Sequence, residues 1–281
     1  MSISLPSQVF FGISMGLYFF SSLSYLVFAA FRNRLLGTLS SLLLFLGFVI
    51  HSVGLALRWT ETHQTGYGYV PLSNMYESLI FFSWTIVLIY LILELKYHQK
   101  IIGVFVTPIA FLAIALTSII PGVDARINPL MPALQSNWLA IHVATCFFGY
   151  ASFAVSFGIS ILYLIGERKE ARGEVSKWLP SNPVLDELNY KSIVIGFPML
   201  SLGIITGAAW ANYAWGSYWS WDPKETWSLI TWFIYAAFLH ARLTRDWRGK
   251  KTAILSIAGF VAVLFTYFGV NYIISGLHSY A

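Results

Sequence analysis

The sequence predicts an all-α fold: a polytopic integral membrane protein of about eight transmembrane helices with both termini on the non-cytoplasmic side. Three observations predict it. The 281 residues are 57% hydrophobic and only 10% charged, far more apolar surface than one soluble core can bury. The charged residues fall in short clusters between long apolar runs, and each run approaches the roughly 20 residues that a helix needs to cross a hydrocarbon layer of about 30 Å. Lys and Arg crowd into alternate connections, the pattern that marks the cytoplasmic side.

The predicted spans are 9–31, 35–57, 76–95, 101–120, 138–166, 192–211, 225–243 and 252–275. The first is apolar from its start and its first basic residue is Arg32, so the positive leading region of a secretory signal is missing and the segment reads as a retained anchor. The third and seventh spans are short between flanking charges, and each takes a glutamate, Glu77 and Glu225, into its first turn. Both starts are marked. Asn74 stands three residues before Glu77, and Asp222 precedes Pro223 and stands three before Glu225, the capping-box spacing.

The connections after spans one, three, five and seven hold Arg32, Arg34, Lys96, Lys100, Arg168, Lys169, Arg172, Lys177, Lys191, Arg242, Arg245, Arg248, Lys250 and Lys251. The other connections hold only Arg58, Arg126 and Lys224. That asymmetry sets the orientation. The polar stretch 166–191 then reads as a cytoplasmic loop, and no repeat of fixed period, low-complexity tract or soluble domain is visible. The net charge of +5 is explained by this topology, which argues against a nucleic-acid partner. A single cysteine, Cys146, inside an apolar run excludes an intramolecular disulfide, a CxxC redox pair and a covalent CxxCH haem site on this chain.

The most unusual stretch is 210–227, WANYAWGSYWSWDPKETW, with five tryptophans and two tyrosines in 18 residues. Interfacial anchoring accounts for one or two such rings at a helix end. A flat, conjugated, apolar ligand accounts for the rest, because indole and phenol rings stack on its face or edge. Coiled as a short interfacial helix, the stretch would bring Trp215, Tyr218, Trp219 and Asp222 to one face. Capping the seventh span is the main task expected of Asp222 and Glu225.

A porphyrin is such a ligand, and its iron takes neutral imidazoles. Of six histidines, His142 lies one turn into the fifth span and His278 just beyond the eighth, both at the level of the aromatic stretch. His240 lies roughly 23 Å along the seventh span, deep in the membrane, where an ionisable side chain is costly and calls for a function. His51, about 10 Å into the second span, is a poor partner for His240 in depth. His63 and His98 read as solvated. Arg58, Arg126 and Lys224 are the candidate cations for haem propionates, although membrane topology alone also explains them.

The string WGSYWSWDPKE at 215–225 resembles the WWD signature of membrane haem-handling proteins, and its surroundings resemble the branch called CcsA or ResC. NWLAIH at 137–142, PLSNMYESLIFFSW at 71–84, LHARL at 239–243 and GLHSYA at 276–281 extend the resemblance over nearly the whole chain. One departure is the stretch 63–70, longer than the family's usual spacing before PLSN. The resemblance implies one transmembrane haem-handling domain over 1–281, serving as a subunit of the system II cytochrome c synthase, a haem lyase. It implies non-covalent, transient haem b and a membrane partner of the CcsB type, also called ResB or Ccs1. Apocytochrome c as acceptor, a thioredoxin-like thiol reductant, and a plasma or thylakoid membrane follow with it. His142 and His278 match the two external axial histidines and His240 matches a membrane-site histidine whose mate belongs to the partner. Trp215, Gly216, Tyr218, Trp219, Trp221 and Asp222 belong to the platform. No residue is expected to act as a catalytic acid, base or nucleophile.

On that reading haem enters from the cytoplasmic side, pauses at His240 and reaches the external platform, where proximity drives thioether formation. Two rivals stay open. A membrane b-type cytochrome would keep its haem, often on two histidines about four turns apart on one helix, and no span here holds such a pair. A transporter of another flat solute would need no metal.

Overall fold

The computed structural model describes residues 6–174 and 179–274, so His278 lies outside the described residues. The chain forms two compact units, residues 1–135 and 136–281. In the first, α1 (Ser7–Phe31), α2 (Arg34–Gln64), α3 (Met75–Tyr97) and α4 (Gly103–Ile119) follow one another, with a 3₁₀ turn Lys100–Ile102 before α4. In the second, α5 (Asn137–Ala171), α6 (Asn182–Trp215), α7 (Pro223–Arg245) and α8 (Lys250–Leu264) follow, and α8 runs through a π-turn Phe265–Gly269 into a last turn Val270–Tyr272. Each of the eight predicted spans corresponds to a helix over its described residues, the eighth as far as Tyr272.

Seven of the helices are long and apolar enough to cross a membrane. The exception is α7. Its 23 residues reach about 35 Å at 1.5 Å per residue, but Lys224 and Glu225 occupy its first turn and Arg242 and Arg245 its last, which shortens the apolar part. It is long enough to span, and its composition is less apolar than that of the other seven. Together the apolar helices make this an integral membrane protein.

The predicted loop 166–191 is mostly helix. α5 continues to Ala171 and α6 begins at Asn182, with Pro183 in its first turn, a position where the missing N–H costs nothing. The early part of α6 is amphipathic: Leu185, Asp186, Leu188 and Asn189 are buried. Charge density along the chain hid this extension, because a helix leaving the membrane becomes polar without ceasing to be a helix. At 35 and 34 residues, α5 and α6 exceed the membrane thickness by roughly 20 Å.

The two units share one internal plan that the sequence does not announce. The first helix packs along the second, the third on the fourth, the first on the fourth and the second on the third, in both units. The third helix of each has 23 residues and an Asx N-cap, Asn74 or Asp222, followed at the third position by Glu77 or Glu225. Further along each, a tryptophan donates to a serine of the preceding helix: Trp84 Nε1 to Ser52 Oγ at 2.8 Å, and Trp232 Nε1 to Ser201 Oγ at 2.9 Å.

Side-chain hydrogen bonds and ion pairs hold each unit where lipid offers none. In the first, Arg58 pairs with Glu77 at 3.0 Å, with both side chains at most 2% exposed. In the second, Arg242 pairs with Asp186, and Asp186 also accepts from the Gly249 N–H and the Thr252 hydroxyl, tying α6, α7 and the start of α8 together.

Candidate functional site

Helices α5 and α7 begin, and α6 ends, at one end of the second unit, and the aromatic stretch joins α6 to α7 there. His142, in the second turn of α5, turns its ring toward α6. Its Nδ1 stands 2.7 Å from the carbonyl oxygen of Gly203. A carbonyl can only accept, so Nδ1 carries the proton and the lone pair of the neutral ring sits on Nε2, the arrangement that a metal-binding imidazole uses. The ring stacks on Trp210 with centroids 6.1 Å apart and planes 13° from parallel. Trp210, only 4% exposed, meets Trp215 edge-on at 4.9 Å.

The approach of α5 to α6 depends on missing side chains. A Cβ on Gly207 would lie 2.6 Å from His142 Nδ1 and 2.7 Å from its Cε1, and one on Gly203 would lie 2.5 Å from Cys146 Sγ. Gly203 and Gly207 are one turn apart on α6, the small-xxx-small spacing that lets membrane helices approach closely. His142 and Cys146 face them from α5, with Cys146 Sγ 3.7 Å from His142 Nδ1.

The expected helical face of Trp215, Tyr218, Trp219 and Asp222 does not form. α6 stops at Trp215 because Gly216 takes a left-handed conformation, φ +76°, and the chain from 217 to 222 is irregular. Trp215 is therefore the last residue of a helix, Tyr218 and Trp219 lie on a loop, and Asp222 caps the next helix. Trp219 and Trp221 meet edge-on at 5.7 Å, and Tyr218 and Trp221 are 62% and 69% exposed.

Trp221 itself has φ +59°, a region that costs a bulky side chain about 1–2 kcal/mol. Glu225 holds it there. Its carboxylate accepts from the N–H of Ser220 at 2.8 Å and of Asp222 at 3.2 Å, the two residues that flank Trp221. Asp222 in turn accepts from the N–H of Lys224 at 2.9 Å, and its bond from the backbone N–H of Glu225 completes the capping box. The capping task expected of Asp222 and Glu225 is what they perform, and the clamp on an exposed tryptophan is added to it.

The remaining candidates lie elsewhere. His240 is an exposed residue of α7, 17 residues from the helix start, or roughly 25 Å from the aromatic end; the structure does not bring it to His142. His51 is fully buried in the first unit, with Nδ1 3.1 Å from the Tyr18 hydroxyl. Arg58 is spent on Glu77 and on the carbonyl oxygens of Ala125 and Arg126, and exposed Arg126 pairs with Asp124. His278 lies outside the described residues. No cluster of three or more His, Cys, Asp and Glu able to hold a metal ion occurs among the described residues.

Two four-helix units, seven of whose helices are long and apolar enough to cross a membrane, define a polytopic membrane protein, and in its second unit an imidazole stacks on the aromatic stretch that joins α6 to α7. The model of the family described as "Cytochrome C assembly protein" matches residues 72–278. The chain is 42% identical over 245 residues to "Cytochrome c biogenesis protein CcsA" of Guillardia theta, covering 80% of each chain. It is 39% identical over 284 residues to that of Porphyra purpurea, covering 87% of this chain and 88% of the other. The protein of the same name from Microcystis aeruginosa is 40% identical over 275 residues, 80% of this chain and 82% of its own. The chain belongs to the CcsA family of cytochrome c biogenesis proteins, and its role is in cytochrome c maturation. A solved structure named "Cytochrome c Heme Lyase CcmF" shares the fold, with a TM-score of 0.66 at 17% identity over 95% of this chain and 48% of that one.

Proposed function

We propose that the second unit binds haem b non-covalently and presents it for covalent attachment to the CxxCH cysteines of apocytochrome c. The observation that carries the reading is His142: its Nδ1–H is committed to the Gly203 carbonyl, its ring stacks on Trp210, and with the proton on Nδ1 the lone pair that would meet an iron is that of Nε2. His278, outside the described residues, would supply a second imidazole to the iron. Haem, when bound, would supply the iron that the two imidazoles hold and the vinyl groups that receive the thiols. Trp215, Trp219, Trp221 and Tyr218 enclose the ring, with Gly216 and Asp222 fixing the two ends of their loop. Each thiol adds across a vinyl double bond, sulfur to the inner carbon and hydrogen to the terminal one, so the addition consumes no oxidant. The chain's part is to hold the reacting groups in place.

His240, on the outer face of α7, is the membrane-site ligand, completed by a histidine of a CcsB-type partner. The name CcsA borne by the relatives supports that partner, and a thioredoxin-like reductant keeps the acceptor cysteines as thiols. Positive-inside asymmetry puts the aromatic loop and both termini on the non-cytoplasmic side of a plasma or thylakoid membrane. The test is His142→Ala and His278→Ala, scored by cytochrome c maturation in cells with and without added imidazole. Maturation falls in each variant and recovers with imidazole; normal maturation in both variants without imidazole ends the proposal.

A further inference from the structure

Of the three cations outside the positive clusters, the structure spends two within the first unit. Arg58 is locked on Glu77 and two backbone carbonyls, and Arg126 is paired with its neighbour Asp124. Lys224 is placed differently. It is the second residue of α7, directly after the aromatic loop, and its ammonium donates to the side-chain oxygen of Asn271 at 3.0 Å. Asn271 is 4% exposed and donates to the Tyr267 carbonyl, and the Tyr267 ring packs edge-on against Phe147 of α5 at 5.6 Å. A partly buried cation is thus held where α7 begins, bonded to the last turn that follows α8, which packs on α5 through Tyr267, and a charge there is expensive to keep.

We propose that Lys224 is a positioning residue that anchors the haem propionates and so sets which edge of the ring faces outward. The inference rests on the reading of the second unit as the haem-presenting one. Propionates and vinyls occupy opposite edges of the porphyrin. A ring whose carboxylates are drawn inward to Lys224 therefore turns its vinyl edge away from the protein, past Tyr218 and Trp221, the two most exposed aromatics of the loop. Iron ligation alone leaves the ring free to rotate about the Nε2–iron axis; a charge-assisted contact at one edge removes that freedom. Asn271 positions the ammonium, because its amide nitrogen is bound to the Tyr267 carbonyl and its oxygen is thereby turned toward Lys224.

The experiment titrates the full-length protein in nanodiscs with haem and, separately, with haem dimethyl ester, following the Soret band. The ester keeps the iron, the ring and the vinyls and loses both carboxylates. Wild type binds the diacid about 10-fold or more tighter, the size of one hydrogen bond between charged groups. Lys224→Gln loses most of that preference and Lys224→Arg keeps it. A merely structural lysine would weaken both porphyrins alike. Equal binding of acid and ester by wild type overturns the inference whether or not the variants fold, and so does an undiminished preference in Lys224→Gln. Binding of neither porphyrin, or binding indifferent to His142→Ala, removes the haem reading itself and the inference with it.

Discussion

Replacing Gly207 by alanine adds one methyl group where the space is already taken. The new Cβ would stand 2.6 Å from His142 Nδ1 and 2.7 Å from Cε1, against roughly 3.5–4.0 Å for an ordinary contact. The ring must retreat by about 1 Å, which stretches the 2.7 Å approach to the Gly203 carbonyl beyond hydrogen-bonding range. Overpacking of this kind costs about 1–3 kcal/mol and the lost hydrogen bond about 0.5–1.5 kcal/mol. The better helix propensity of alanine returns about 0.5–1 kcal/mol. A net loss near 2 kcal/mol corresponds to a roughly 30-fold weaker haem affinity if the ring orientation is what the site supplies. The assay is a Soret titration of the purified protein, with circular dichroism to confirm helix content. Gly12→Ala is the control, since nothing lies within 4 Å of a Cβ there. Haem affinity unchanged within 3-fold (~0.6 kcal/mol) in well-folded Gly207→Ala would show that the tethered imidazole does not set binding.

Three further outcomes follow from the same geometry. Glu225→Gln keeps an acceptor but removes the charge from two backbone contacts; it should cost about 1–2 kcal/mol of local stability, seen as faster proteolysis within 216–222. Equal cleavage rates would discount the clamp. Trp221→Gly relieves the left-handed strain and should raise the thermal midpoint slightly while reducing haem retention, whereas a lowered midpoint would contradict the strain argument. Arg58→Ala strands a buried Glu77 and should destabilise the protein by about 3–5 kcal/mol. The double variant Arg58→Ala with Glu77→Ala should be milder, so strictly additive losses would argue against the pair.

The membrane character, the number of helices and most of their centres were legible because lipid imposes a length and a composition that no local interaction overrides. Boundaries were less so: the start of α6 at Asn182 lies in polar sequence, and only Pro183 and the amphipathic order of Leu185 to Asn189 mark it. His142 was singled out by its depth, but its surroundings were not legible. Gly203 and Gly207 carry the GxxxG spacing that predicts a close helix contact, and Trp210 lies within the aromatic stretch, yet pairing them with α5 required the fold. The left-handed Trp221 had no sequence signal, because the capping box predicts a helix start without predicting what the clamped backbone does to the residue before it. The shared plan of the two units was hidden because the spacing of Asn74, Glu77 and Trp84 recurs as Asp222, Glu225 and Trp232 with few identities between.

Having the same four-helix plan twice separates two demands that usually compete. At the head of its third helix the first unit spends its glutamate on a buried arginine, closing that end with an ion pair. The second spends the matching glutamate on bending a loop, and leaves glycine and an imidazole between its first two helices. One copy is thereby closed at that point by a buried ion pair, while its sibling uses the same carboxylate to hold a tryptophan in a strained backbone conformation.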